Sequence, residues 1–441
     1  MAQIYPFKGF LYNQEITGDP NKVVTQPYDK TSPAMQDEYY ERSPYNVVRI
    51  TLNREKRNDA ATSYPDAGAM FRKWIDEKVI LQQARPAFFP YYQEYAVDGK
   101  TCRQKGFIAL LDLKKSGEEI IPHEHTLAAP KQDRLQLLRS IEGNEDLIYM
   151  LYNDAALSID GIMDKQIAGR APAIEVTDEF GATHRVWALA DPAAIEEIQR
   201  VIEAQNLFIA DGHHRFETSV NFMKECEQKG WTSAGTESFD KRMVACFNSA
   251  AGVTILATHR LLRDLPGFNA ENFLQSIDDH FIVENPETPE LLWKRMHEER
   301  ERHVIGFYAG NKKYYLLIMK PSASADSAFQ KHSDAWRELD VSILHTLILD
   351  SRLGIDEEKL AKQTNIDYAR SREACIERVD AGKYQAAFLL NPTPAEQMQR
   401  VAGAGERMPQ KSTDFFPKLL TGLVFMKMTI SGNVCRPREK A

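Results

Sequence analysis

The stretch Asn206–Cys226, NLFIADGHHRFETSVNFMKEC, decides how the chain is read. Leu207 to Ala210 has the length and composition of a buried strand, and Asp211-Gly212 permits a sharp turn after it. Phe216, Val220 and Met223 then recur at helical spacing, which predicts a helix opening at His213. Upstream, RVWALAD (Arg185–Asp191) reads as another strand and PAAIEEIQRVIEAQ (Pro192–Gln205) as a helix opened by proline. Strand, helix, strand and helix in that order predict an α/β unit within a mixed α/β or α+β fold.

Working outward, the segment up to about residue 30 reads as irregular, and SPYNVVRITL (Ser43–Leu52) as a strand. AGAMFRKWIDEKVI (Ala67–Ile80) places Met70, Phe71, Trp74 and Ile75 on one helical face. GFIALLDL (Gly106–Leu113) is a second clear strand, and PKQDRLQLLRSI (Pro130–Ile141) a helix. KRMVACFNSAAGVTILATHRLL (Lys241–Leu262) reads as two strands joined at Ala251-Gly252. HVIGFYAGNKKYYLLIMK (His303–Lys320) is a hairpin turning at Gly310-Asn311. Turn residues cluster in DLPGFNAENF (Asp264–Phe273), which predicts a boundary between an α/β lobe over 1–265 and another over 266–441.

With 441 residues, the chain is too long for one core. Its 43% hydrophobic and 27% charged residues are those of a globular protein. A net charge of -8 without a long basic run disfavours nucleic acid as a partner. The five cysteines (Cys102, Cys226, Cys246, Cys375, Cys435) include no CxxC pair, which argues for a reducing compartment and against structural zinc. Neither a secretory signal nor a membrane-spanning apolar run is visible, so a cytoplasmic protein is expected.

Five polar clusters carry candidate chemistry. His213, His214 and Arg215 occupy the predicted first helical turn, where unpaired N–H groups and the dipole attract phosphate. Arg215 can grip two phosphate oxygens, and Asp211 can take a proton, hold a metal ion, or merely cap the helix. In IIPHEHTLAAPKQDR (Ile120–Arg134), an extended backbone would turn His123 and His125 to one side and Glu124 to the other, with Lys131 and Arg134 following. GERMPQKSTDFFPK (Gly405–Lys418) nearly spells a P-loop, but Gln410 replaces its second glycine and Pro409 removes a backbone donor, so that assignment fails. Lys411, Ser412, Thr413 and Lys418 remain a dense anion-seeking set. LATHRLL offers Thr258, His259 and Arg260, while VTQPYDK and SPYNVVR offer Asp29, Asn46 and Arg49. Each set also reads as ordinary loop polarity; converging, they would suit a small phosphorylated metabolite or a nucleotide.

Six stretches in order, QPYDK, SPYNVVRI, PHEHTLAAPKQDRLQLL, IADGHHRFET, TILATHRL and MPQKSTDFFPKLLTGLV, resemble the family catalogued as domain of unknown function 1015. The DGHHR turn further resembles the phosphate-binding turn of the ParB/sulfiredoxin superfamily, which includes ADP-dependent free-serine kinases. That likeness implies a ParB/sulfiredoxin-like core elaborated with additional α/β lobes, and phosphate contacts from Gly212, His213, His214 and Arg215 with Asp211 nearby. Members of the first family accompany serine-biosynthesis enzymes, which implies phosphoryl transfer on phosphoserine or serine, with Mg2+ and ADP or ATP as cofactors. On this reading Asp211, His213, His214, Glu124 and His123 do the acid–base work. Phosphate or substrate contacts come from Gly212, Arg215, Lys131, Arg134, His259, Arg260, Lys411, Ser412, Thr413, Lys418, Asn46 and Arg49. Two rival expectations are a ParB-like nucleotide-binding regulatory protein without chemistry, and a metal-dependent hydrolase using His123, His125, Asp211, His213 and His259.

Overall fold

Phe107 to Leu111 show no exposed surface at all, as expected of a strand covered on both faces rather than one alternating between core and water. They belong to a mixed sheet seen in a computed structural model that describes residues 2–52, 63–115, 119–124, 128–233, 235–329 and 331–429. The sheet's strands, among the described residues, are β1 (Ile4–Tyr5), β2 (Phe89–Val97), β3 (Lys100–Asp112), β4 (Ile120–Ile121), β5 (Ile148–Tyr152), β6 (Ile174–Thr177), β7 (Thr183–Val186), β8 (Leu207–Asp211) and β9 (Lys241–Asn248). Their order is β4-β8-β5-β9-β3-β2-β7-β6, with β1 also paired to β3. The β8/β4 and β9/β5 pairs are parallel and the rest antiparallel.

Helices α1 (Ser63–Asp76), α2 (Ala128–Ile141), α3 (Pro192–Glu203) and α4 (His213–Gln228) accompany this sheet, α2 packing against both α1 and α4. The start of α3 follows from its sequence: the Asp191 carboxylate accepts the Ala194 N–H, Pro192 needs no donor, and Ile195, Ile198 and Ile202 form its buried stripe.

The chain divides into two units. One comprises residues 1–122, 126–253 and 417–441, the other 123–125 and 254–416. The boundary expected at 265/266 therefore falls inside the second unit, because the turn cluster at Asp264–Phe273 separates elements of one sheet. That sheet is antiparallel, with β10 (His259–Leu262), β11 (Phe281–Glu284), β12 (Val304–Tyr308), β13 (Tyr314–Met319), β14 (Ile366–Ala369) and β15 (Ala386–Leu389) in the order β11-β13-β12-β15-β10-β14. Leu261, Leu316 and Leu389 pack with Leu292 and Met296 of α5 (Pro289–Glu298) and Cys375 and Val379 of α6 (Arg372–Asp380). The β12–β13 hairpin turns through Gly310, Asn311 and Lys312 in left-handed conformations, as the Gly-Asn pair predicts.

Three local expectations are corrected. Val48–Thr51 is a helical turn, not a strand: Asn46 Oδ1 accepts the Val48 N–H at 2.9 Å, and this local bond overrides the β-branched composition. The strand–helix–strand stretch around α3 does not form neighbours, since β7 and β8 lie towards opposite ends of the sheet. Lys241–Leu262 yields three strands rather than two, Thr254–Leu256 pairing separately with Asp414–Phe416.

Gly106 faces Phe247 across β3 and β9, where an added Cβ would sit 2.5 Å from the Cys246 carbonyl oxygen and 2.7 Å from the Phe247 ring. Gly106→Ala should therefore cost about 1–3 kcal/mol, the usual penalty of overpacking, read as a lower urea midpoint with an unchanged m-value.

Candidate functional site

Strand β8 ends at Asp211, and Gly212 turns the backbone with φ 96° and ψ 26° before α4 begins at His213. Only glycine takes that conformation cheaply. A Cβ at Gly212 would also meet the Arg215 guanidinium at 3.1 Å. Asp211 does not cap the helix: Oδ1 accepts the Gly212 N–H at 2.8 Å, and Oδ2 accepts Lys418 Nζ at 2.7 Å. No side-chain oxygen occupies the cap position, so the positive end of α4 carries no built-in acceptor there.

Asp211 keeps 27% of its side chain exposed, while Lys418 keeps 8%. Burial by itself would raise the Asp211 pKa. The adjacent charges of Lys418, Arg215 and Lys30, with the bond from Lys418, outweigh it and hold the carboxyl far below its usual range. A carboxylate held that low is a poor proton acceptor, which removes the simplest form of the general-base role expected of it. Its chemistry is that of a permanent negative charge.

Arg215 is turned inward, 7% exposed, donating to the Leu147 carbonyl at 2.5 Å and lying 3.7 Å from Asp146 Oδ2. Asp146 in turn binds Arg242. Beside it, burial and then the Asp146 charge push the Glu145 carboxyl up, against the pull of Arg242 and Arg134. Arg134, 5% exposed, donates to the Thr51 carbonyl and packs 4.3 Å from the Tyr28 ring centroid. QPYDK is thus drawn to the same place: Tyr28 under Arg134, with the charges of Asp29 and Lys30 felt by Arg215 and Asp211. A buried polar chain backs the arrangement. Gln93 Nε2 donates to the Lys418 carbonyl at 3.2 Å, Tyr91 Oη lies 2.7 Å from His184 Nδ1, and His184 Nε2 lies 3.3 Å from Asp178.

The expected residues therefore sort by unit. The first unit brings together Asp211, Gly212, Arg215, Lys418, Arg134 and the QPYDK segment, with His213 buried and His214 half-buried on the opening turn. Lys131, on α2, pairs with Glu217 of α4 at 2.9 Å. Asn46 and Arg49 instead hold local backbone: Asn46 donates to the Lys22 carbonyl and Arg49 to the Tyr40 carbonyl, both at 2.7 Å.

The second unit holds the others. His123 Nε2 lies 3.0 Å from Thr413 Oγ1, and the Glu124 carbonyl accepts from Arg407. Arg260 donates to the Gln410 and Lys411 carbonyls, and Ser412 Oγ donates to the Pro409 carbonyl. His259 Nδ1 accepts the Leu390 N–H at 3.2 Å; burial, then Arg372 and Arg260, pull its pKa down to about 3, so it is neutral and cannot pair with phosphate by charge. His125 lies outside the described residues. Among the described residues, no three His, Cys, Asp or Glu side chains gather as a metal-ion cage.

Sequence reasoning missed Glu145, Asp146, Arg242, Lys30 and Tyr28. The signal available was the acidic pair in GNEDLIYM, set directly before an apolar strand, where charge has no reason to be unless it is partnered.

Because the folded pKa of Asp211 lies below its unfolded value, its ionised form contributes stability that is present above about pH 4 and lost as pH falls towards the folded value. Urea melts of wild type and Asp211→Asn should differ by a constant amount from about pH 8 to about pH 5, the gap shrinking below about pH 4.

No curated protein matches the chain in sequence. Among solved structures, a conserved hypothetical protein from Pyrococcus furiosus aligns over 71% of this chain and 93% of its own, at 11% identity and a TM-score of 0.34. Free serine kinase in complex with AMP aligns over 70% and 86%, at 11% identity and a TM-score of 0.34. SbnI with a C-terminal truncation, from Staphylococcus aureus, aligns over 75% and 85%, at 10% identity and a TM-score of 0.31. Superpositions this loose carry no argument about chemistry. The family described as "Protein of unknown function (DUF1015)" matches residues 4–342, well over half of the sequence, and the chain belongs to that family.

Proposed function

We propose that the first unit binds a small phosphorylated metabolite at the opening of α4 and transfers its phosphoryl group, with phosphoserine and serine as the substrate pair. The observation that carries this reading is the Asp211–Lys418 pair beside a glycine-capped helix start, drawn from segments 207 residues apart and joined by QPYDK. A helix N-terminus whose cap residue brings no side-chain acceptor favours phosphate, and Lys418 and Lys30 add positive charge beside it. Phosphoryl transfer asks mainly for positioning and charge neutralisation, which suits such a set.

In this scheme the bond between phosphorus and the serine oxygen breaks, a bond forms to water or to the terminal phosphate oxygen of a nucleoside diphosphate, and the serine oxygen gains a proton. His213 and His214 on the first helical turn are the groups assigned to that proton. Asp211, ionised throughout, accepts from the amino acid's ammonium or hydroxyl group. Arg215 acts as a positioning residue beneath the turn. Asp211 and Asp29 are the carboxylates this reading would offer a Mg2+ ion, which is commonly held by one or two carboxylates together with phosphate oxygens and water. When bound, the ion would offset phosphate charge.

Purified protein should convert phosphoserine to serine, with phosphate or a nucleoside triphosphate as co-product, when incubated with Mg2+ with and without ADP and followed by 31P NMR. Lys418→Met should lower kcat/KM on the order of 100-fold, comparable to removing one transition-state donor, with the circular dichroism spectrum unchanged. No turnover in either direction, with water, ADP or ATP, would overturn the reading.

A further inference from the structure

The second unit contains a set of buried donors that the site above does not use. Arg260 is 1% exposed, on β10, directly opposite Tyr368 of β14, and its guanidinium carbon lies 5.4 Å from the Tyr368 ring centroid. Its terminal nitrogens donate to the carbonyls of Thr258, Gln410 and Lys411, but Nε has no partner among the described residues. Tyr368 Oη and His345 Nε2 are likewise buried without a partner among the described residues. His345 is 7% exposed and sits near enough for the Arg260 charge to act on it. It rides on Leu344–Asp350, a π-helix, a rare conformation that is frequent at functional sites.

Each of these groups is costly to bury unmade, on the order of 1–3 kcal/mol per neutral group and more where charge is involved. Arg260 carries a full charge with no carboxylate paired to it among the described residues; burial lowers its pKa to about 10, with only the Tyr368 phenol opposing. Glu124 and Asp367 act on Tyr368, not on Arg260. Arg260 Nε is a donor, Tyr368 Oη can donate, and His345 Nε2 donates in the tautomer that carries its proton there, so an acceptor beside one positive charge would meet all three. Water would satisfy the donors but leave the charge unbalanced. We propose that Arg260, Tyr368 and His345 form a binding site in the second unit for a small oxyanion, a phosphate or a carboxylate, with one oxygen taken by Arg260 Nε and Tyr368 Oη. Three of the five guanidinium N–H groups of Arg260 are spent on carbonyls, so Nε–H and one hydrogen of Nη1 remain, and the anion is held by fewer bonds than an open guanidinium gives.

This inference stands apart from the proposed phosphoryl site, and calorimetry of the full chain separates the two. Inorganic phosphate and acetate are titrated into wild type and Lys418→Met, and into Lys418→Met carrying Tyr368→Phe or His345→Ala. Tyr368→Phe keeps the ring beside the guanidinium and deletes only the hydroxyl, so it should fold. Binding of either anion should persist in Lys418→Met and weaken about tenfold or more in Tyr368→Phe, as expected for loss of a hydrogen bond to a charged group, with a smaller loss in His345→Ala. Preference for phosphate over acetate, or the reverse, assigns the anion. The proposal is overturned if neither anion binds Lys418→Met, or if binding is indifferent to Tyr368→Phe. Loss confined to Lys418→Met would leave the first-unit reading intact while removing this one.

Discussion

Lys418 reaches Asp211 across 207 positions of sequence, and the electrostatics of the first unit are organised by that contact. Unpaired, a lysine this buried would shed its proton or its burial. Paired, it fixes Asp211 as a permanent anion at the mouth of a helix whose own dipole is positive. The alternation continues inward through Arg215, Asp146 and Arg242. Each charge is tolerable because the next has the opposite sign, so removing any one leaves its neighbours exposed to the full cost of burial.

This arrangement changes what arginine means in the motif. From sequence, Arg215 is a residue able to grip two phosphate oxygens. Its side chain instead folds back beneath Gly212 and anchors to the Leu147 carbonyl. The turn is therefore held from below, while Lys418 and the backbone of the helix start supply what a ligand would meet. Glycine at 212 serves both purposes, taking the left-handed conformation and leaving room for the guanidinium.

Much of the first unit was legible because hydrophobic periodicity and turn chemistry agreed: β3, β8, α2, α3 and α4 all lie where runs of Leu, Ile and Phe or helical spacing place them. Where they disagreed, local hydrogen bonding won, as at Asn46 and Val48. The charged partners were harder. Nothing in one sequence says that the acidic pair at 145–146 meets Arg242 and Arg215, since that pairing depends on which strands become neighbours. Nor does sequence separate the clusters by unit: His123, His259, Arg260 and Lys411 to Thr413 share the chemistry of the DGHHR turn but belong to the second unit.

One consequence follows from the discontinuous course of the chain. The first unit pauses at residue 253, the whole of residues 254–416 intervenes, and the segment bearing Lys418 then returns to it. A ribosome delivers Asp211 long before it delivers Lys418. Throughout that interval the carboxylate lacks the Lys418 ammonium, and the turn is an incomplete object. The returning stretch acts as a key, so a product truncated before it, with all of DGHHR in place, would still lack the Lys418 charge on which the site is built.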